Sequence, residues 1–115
     1  MVKRSDLDKP DLPERIRREL RRFIGRVREQ LSGDCEVYLF GSYARGDWVS
    51  DSDLDLIVVS SRFDGLELGR RHLLVRELLP SWLSVELLLY TPKEFEMAKK
   101  RSIIEDAAEY WIKLV

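Results

Sequence analysis

The sequence predicts a mixed α/β fold in which one small β-sheet is flanked by helices. An amphipathic helical pattern comes first, three short apolar runs typical of strands follow, and helical segments separate the later runs. With 115 residues, of which 44% are hydrophobic, the chain is long enough to bury one core. No internal repeat or linker divides it, so we expect a single domain over residues 1–115.

The composition excludes several classes of protein. Lys and Arg total 20 against 21 Asp and Glu, and the net charge of −1 gives no overall attraction to nucleic acid. The single cysteine, Cys35, excludes an internal disulfide and is typical of a reducing compartment. No signal peptide and no apolar run of membrane-spanning length is visible. We therefore expect a cytoplasmic protein.

The segment 12–33 predicts the first helix. Pro13 suits its first turn and Gly33 its end. One stripe of apolar residues has helical spacing: Ile16, Leu20, Phe23, Val27 and Leu31. The other face carries seven arginines: Arg15, Arg17, Arg18, Arg21, Arg22, Arg26 and Arg28. A solvated helix surface is the favoured interpretation of that face, and a contact surface for an acidic partner or RNA is the alternative.

Three apolar runs predict strands, at Glu36–Phe40, Leu54–Ser60 and Ser84–Tyr90. The central residues of the second run indicate burial on both faces: Leu56, Ile57, Val58 and Val59. After the first run, a short helix is expected to begin at Gly41-Ser42.

Helical segments follow the second and third strands. The first covers residues 66–79 and ends before Pro80. Its expected buried side is Leu66, Leu73, Leu74, Leu78 and Leu79. Thr91-Pro-Lys-Glu94 is a capping-box pattern that begins the next helix, which holds Phe95 and Met97. A further helix is expected over Ser102–Glu109, and a closing strand over Tyr110–Val115.

Asp53 and Asp55 flank the start of the second strand and suggest a metal site. Residues two apart on a strand project from the same face, so both carboxylates point one way. Two like charges held side by side repel each other unless a cation lies between them, and hard cations such as Mg²⁺ prefer carboxylate oxygens. The Gly41-Ser42 turn upstream suits the binding of phosphates.

The complete motif GSYARGDWVSDSDLDL, which begins at Gly41, resembles the signature of the nucleotidyltransferase superfamily that includes DNA polymerase beta. The resemblance is closest to the minimal nucleotidyltransferases, small prokaryotic proteins. The segment SVELLLYTPKEF, from Ser84 to Phe95, is similar to that family's third strand and the helix after it. The resemblance therefore implies a nucleotidyltransferase fold.

The resemblance also implies roles for individual residues. Asp53 and Asp55 match the family's catalytic, metal-binding aspartates. Glu86 matches the third carboxylate, where aspartate is commoner, with a water-facing edge glutamate as the alternative. These three would hold two Mg²⁺ ions, with ATP as substrate. The implied nucleotide-binding residues are Gly41, Ser42, Arg45 and Ser52.

Two of these assignments have structural alternatives. Arg45 is equally well placed for an ion pair with Asp47. Ser52, together with Asp51, also suits a loop that presents Asp53. His72, the single histidine, is expected on a helix surface, which argues against histidine-dependent hydrolysis and a zinc site. The tryptophans are expected to pack or to form interfaces rather than to stack on bases, and Trp48, inside the motif loop, is the exception whose exposure the sequence leaves open.

The family implies transfer of AMP from ATP to a tyrosine of an all-helical partner of the HEPN class, with this chain as the antitoxin of a toxin–antitoxin pair. The rival hypothesis is a non-catalytic module that binds a nucleotide or a partner. Modification of RNA or antibiotics, which other superfamily branches perform, is a third. The sequence leaves a homo-oligomer open.

Overall fold

The computed structural model describes residues 11–101 and 111–115. In this part of the chain four strands form one sheet: β1 (Glu36–Phe40), β2 (Leu54–Val59), β3 (Val85–Tyr90) and β4 (Ile112–Lys113). Their order is β3-β2-β1-β4. β1 is antiparallel to β2 and to β4, whereas β2 and β3 are parallel. The predicted mixed α/β fold is confirmed.

Four α-helices accompany the sheet in the described residues: α1 (Glu14–Gln30), α2 (Gly41–Arg45), α3 (Leu68–Arg76) and α4 (Pro92–Ala98). A 3₁₀ turn covers Ser61–Phe63. Pro13 precedes α1 as its N-cap residue, and the capping box at Thr91 is present. The helix predicted over Ser102–Glu109 lies outside the described residues, as does Tyr110 of the predicted closing strand. No helix of the described ranges combines the length and the apolar character that a membrane span requires.

The sheet separates two apolar clusters. The larger contains the buried stripe of α1, for example Leu20 and Phe23, together with Leu56 and Val58 of β2. The smaller lies on the other face of β2 and contains Ile57, Val59 and Phe95. All four central residues of β2 are buried, so this strand is covered on both faces, as its sequence predicts.

The helix α3 differs from its prediction. It begins at Leu68 and ends at Arg76, and the predicted core residue Leu73 is 74% exposed. The buried residues of α3 are Arg71 and Val75. The prediction is wrong for Leu73 alone, since Leu79 is buried and Leu66, Leu74 and Leu78 pack half-buried against the larger apolar cluster. Arg71 can lie on the inner face because its guanidinium donates to the Leu66 and Leu89 carbonyls and to the Glu94 carboxylate.

Candidate active site

The strand register brings the predicted carboxylates to one end of the sheet. Asp55 is the partner of Glu86 in the parallel β2–β3 pair, and Phe40 is opposite Asp55 in the β1–β2 pair. Asp53 comes two residues before Asp55 and therefore faces the same side. The carboxyl end of β1 and the amino ends of β2 and β3 thus meet at the same place.

A cavity of about 480 Å³ opens at this end of the sheet. Its lining residues are Phe40, Gly41, Ser42, Arg45, Asp53, Asp55 and Glu86. Every residue predicted for catalysis, metal binding or nucleotide binding is in this set except Ser52. The structure therefore gathers residues from β1, α2, β2 and β3 around one space.

Ser52 lies in the loop before β2 and does not line the cavity. Its hydroxyl accepts a hydrogen bond from the Val49 backbone N–H at 2.8 Å, and its carbonyl accepts one from the Tyr43 hydroxyl at 3.4 Å. These contacts close the loop that leads to Asp53. The structure thus shows Ser52 in the loop-forming role that the sequence offered as its alternative, and its contact with a nucleotide stays a prediction.

Gly41 packs directly against Asp55. Its φ of +72° is a conformation that side chains other than glycine rarely adopt. A Cβ at this position would lie 2.8 Å from Asp55 Cγ and would overlap Asp55 Oδ2. Glycine is therefore required here both for the backbone turn and for the close approach of the carboxylate.

The environment of Asp55 raises the pKa of its carboxyl group. Burial, reinforced by the charge of Glu86, a hydrogen bond with Glu86 and the charge of Asp53, raises the pKa of Asp55 to about 6. Arg45 acts in the opposite direction. The raised pKa of Asp55 therefore follows first from burial of its carboxyl group and second from its acidic neighbours.

Glu86 has features of both roles considered for it, a third metal-binding carboxylate and a water-facing glutamate on an edge strand. β3 is an edge strand of the described sheet and Glu86 is exposed, as the water-facing alternative requires. It also lines the cavity beside Asp55. Because the side chain is exposed, the apolar run around it does not by itself argue for a metal.

The chemistry of the donor set fits a hard cation, since three carboxylates border one cavity and hard cations prefer carboxylate oxygens. Across residues 11–101 and 111–115, however, no three His, Cys, Asp or Glu side chains converge closely enough to hold a metal ion. Asp53 instead accepts a hydrogen bond from the Ser84 hydroxyl at 2.5 Å. A cation at this site would therefore require the carboxylates to turn towards it.

Arg45 forms the ion pair that sequence reasoning offered as its structural alternative. Its Nε lies 3.2 Å from Asp47 Oδ2, and both side chains are well exposed. Arg45 also lines the cavity. An exposed pair of this kind is worth about 0–1 kcal/mol, so a phosphate could displace Asp47 at small cost.

Sequence reasoning missed two residues at this site, Phe40 and Ser84. Phe40 ends β1 directly before Gly41 and lines the cavity. Ser84 precedes Glu86 by two residues, and this spacing, together with the pairing of Asp55 and Glu86, could have indicated that it faces Asp53. Trp48, whose exposure the sequence left open, is half-buried, and its ring stacks on Tyr43 with centroids 5.6 Å apart.

Three carboxylates beside a glycine-serine turn and an arginine are an arrangement typical of sites that transfer phosphoryl or nucleotidyl groups. The family model "Nucleotidyltransferase domain" matches residues 20–111. The chain therefore belongs to the nucleotidyltransferase domain family.

Two individual proteins are similar to this chain. A crystal structure of a "putative nucleotidyltransferase" from Sulfolobus solfataricus has a TM-score of 0.51 and 25% identity, and the match covers 76% of this chain and 82% of that one. A "putative protein adenylyltransferase" of Methanocaldococcus jannaschii is 37% identical over 41 residues, which are 35% of this chain and 41% of the relative. This chain thus spans about two fifths of the length of that curated relative.

Proposed function

We propose that this protein transfers AMP from ATP to a hydroxyl group of a protein acceptor. The observation that carries the proposal is the single cavity that joins Asp53, Asp55 and Glu86 to Gly41, Ser42 and Arg45. Membership of the nucleotidyltransferase domain family supports the class of reaction. The name of the Methanocaldococcus jannaschii relative supports adenylate as the group and a protein as the acceptor.

In this proposal Asp53, Asp55 and Glu86 hold Mg²⁺, which would supply charge neutralisation for the triphosphate and a more acidic acceptor hydroxyl. Gly41 leaves room for a phosphate, Ser42 donates hydrogen bonds to phosphate oxygens, and Arg45 offsets their charge. The acceptor oxygen forms a bond to the α-phosphorus, the bond from that phosphorus to the bridging oxygen breaks, pyrophosphate leaves, and the hydroxyl proton passes to water.

The finer part of the proposal concerns the acceptor. We infer that it is a tyrosine of an all-helical HEPN-type partner, which this protein silences as the antitoxin of a toxin–antitoxin pair in the cytoplasm. The support is the resemblance of the Gly41–Asp55 motif to the minimal nucleotidyltransferases. The rival is a binding module of the same fold without catalysis.

The test uses labelled ATP, Mg²⁺ and the co-expressed helical partner, with mass spectrometry of the partner. We expect AMP on a partner tyrosine, and a loss of about 10²-fold or more in rate for Asp53→Asn and for Asp55→Asn. Asp64→Asn, an exposed aspartate outside the cavity, should leave the rate unchanged. An unlabelled partner, or labelling that persists in Asp53→Asn, would exclude the enzymatic proposal and favour the binding module.

A further inference from the structure

A second cavity, of about 450 Å³, lies outside the candidate active site. Its lining residues are Arg15, Arg18, Glu19, Arg22 and Trp82, and we call them the Arg–Trp surface. Arg15, Arg18 and Arg22 follow one another at intervals of three and four residues on α1, so they lie on one face of the helix. This surface is part of the arginine face of α1, for which the sequence allows either a solvated helix surface or a contact surface for an acidic partner or RNA.

Trp82 gives the surface an aromatic centre. Its side chain is 53% exposed, although it lies in the segment between α3 and β3 and next to the buried Leu83. The Arg15 guanidinium lies over its ring, with Cζ 4.8 Å from the centroid. Exposed tryptophan and arginine together are the residue types that dominate binding energy in protein interfaces.

The Arg–Trp surface lies near the active-site end of the sheet. Trp82 precedes Ser84 by two residues, and the Ser84 hydroxyl is bonded to Asp53 in the active-site cavity. A hydrogen bond also connects the loop after α2 to the start of α1: Trp48 Nε1 donates to the carbonyl of Asp11, which lies just before that helix. A macromolecule that presents a hydroxyl to the active site can therefore reach this surface as well.

The charges favour a protein over a nucleic acid. Glu19 lines the same cavity and pairs with Arg22 at 3.2 Å, so the surface is not uniformly positive. The whole chain has a net charge of −1. A continuous phosphate backbone depends on a dense row of cations, whereas separate carboxylates can pair with individual guanidinium groups.

We propose that the Arg–Trp surface binds an acidic segment of the protein that receives AMP. The statement that the bound protein is the acceptor rests on the proposed function. The binding itself does not, because it requires neither nucleotide nor catalysis. The surface would then select the acceptor by charge, and the active site would select the hydroxyl.

The probe is a fluorescein-labelled random copolymer of glutamate and tyrosine, and fluorescence anisotropy measures its binding. We expect the wild-type protein to bind it, and Arg18→Glu and Trp82→Ala each to weaken binding by about tenfold or more. Arg62→Glu is the matched control, since it makes the same change in net charge at an exposed site in the 3₁₀ turn, away from the Arg–Trp surface. Circular dichroism checks that each variant is folded.

Three results would overturn the inference. They are no binding by the wild type, equal weakening by Arg62→Glu and Arg18→Glu, and tighter binding of single-stranded polyuridylate that shows the same sensitivity to Arg18→Glu. The last would identify RNA as the occupant. Two observations separate the proposals. Asp55→Asn should bind the copolymer normally, because binding requires no catalysis. A wild-type protein that binds the copolymer and transfers no AMP counts against the proposed function alone.

Discussion

At the scale of single residues, Gly41 joins the backbone turn to the active site. Gly41→Ala would place a Cβ against Asp55 in a left-handed conformation. We expect the free energy of unfolding to fall by about 2 kcal/mol or more, and AMP transfer to be lost because Asp55 must move. Chemical denaturation and the transfer assay measure the two effects.

Gly25→Ala is the matched control for Gly41→Ala. Gly25 lies inside α1, and a Cβ there meets no atom within 4 Å in the described structure. Alanine is the better helix former, so the free energy of unfolding should rise by about 0.5–1 kcal/mol. Equal destabilisation by both alanines would show that Gly41 has no special geometrical role.

The raised pKa of Asp55 predicts a pH dependence in the absence of divalent cations. The pKa changes from 3.8 to about 6 on folding, so the folded state binds the proton more tightly. The stability contributed by this group is greatest when it is protonated in both states and falls as the pH rises through this interval. Asp55→Asn should therefore be more stable than the wild type near pH 7.5, and this difference should vanish towards pH 4.

Urea denaturation at the two pH values measures this difference. Asp64→Asn, which changes an exposed aspartate, should follow the wild type at both. If Asp55→Asn is no more stable than the wild type near neutral pH, the fold does not disfavour the ionised Asp55 carboxylate in the way that its burial and its acidic neighbours indicate.

At the scale of elements, Arg71 joins α3, β3 and α4. Its Nη1 lies 2.6 Å from Glu94 Oε1 and 3.2 Å from the Leu89 carbonyl, and its Nε donates to the Leu66 carbonyl at 2.9 Å. Arg71→Met would leave these acceptors without their donor, and we expect a loss of about 2–3 kcal/mol in the free energy of unfolding.

Arg70→Met is the control for this prediction, because the neighbouring Arg70 is exposed. Its effect on the free energy of unfolding should stay within about 0.5 kcal/mol. Thermal and urea denaturation measure the free energy of unfolding of both variants. A similar small effect for Arg71→Met would mean that the three elements are held by apolar contacts alone.

The helix α3 also covers the edge of β3. Arg76 donates to the Leu83 carbonyl at 2.7 Å, and a ring nitrogen of His72 lies 3.2 Å from the Leu87 carbonyl. Arg71 likewise donates to the Leu89 carbonyl. Side chains of α3 therefore contact carbonyls that would otherwise be open to hydrogen bonds from an additional strand. His72 is exposed on this helix, which agrees with its predicted surface position.

At the scale of the whole molecule, residues far apart in the chain complete one core. β4 pairs with β1, and Leu114, which follows it, is fully buried in the larger apolar cluster. Leu114→Ala should lower the free energy of unfolding by about 2–5 kcal/mol, because it leaves a cavity in that cluster.

Leu73→Ala is the control, because Leu73 is 74% exposed. Its effect should remain within about 0.5 kcal/mol. The midpoint of urea denaturation measures both variants. Were Leu73→Ala the more damaging change, the sequence-based placement of Leu73 in the core would be right and the present packing of α3 wrong.

The sequence by itself determined the elements whose signals are local. The alternation and apolar content of β1 and β2, the helical spacing in α1 and the capping box at Thr91 depend on neighbouring residues only. The motif from Gly41 to Asp55 likewise indicated the nucleotidyltransferase family, because the motif is defined by residue types at fixed spacings along the chain.

Only the tertiary structure decided which residues share the cavity and what each one contacts. The parallel register of β2 and β3 sets Glu86 beside Asp55 across 31 positions of sequence, and it brings Ser84 to Asp53. Other tertiary contacts hold Ser52 in the loop before β2 and place Arg71 on the inner face of α3, while Leu73, which was expected there, is exposed. These outcomes depend on contacts between distant segments, and the spacing of residues within one segment does not encode them.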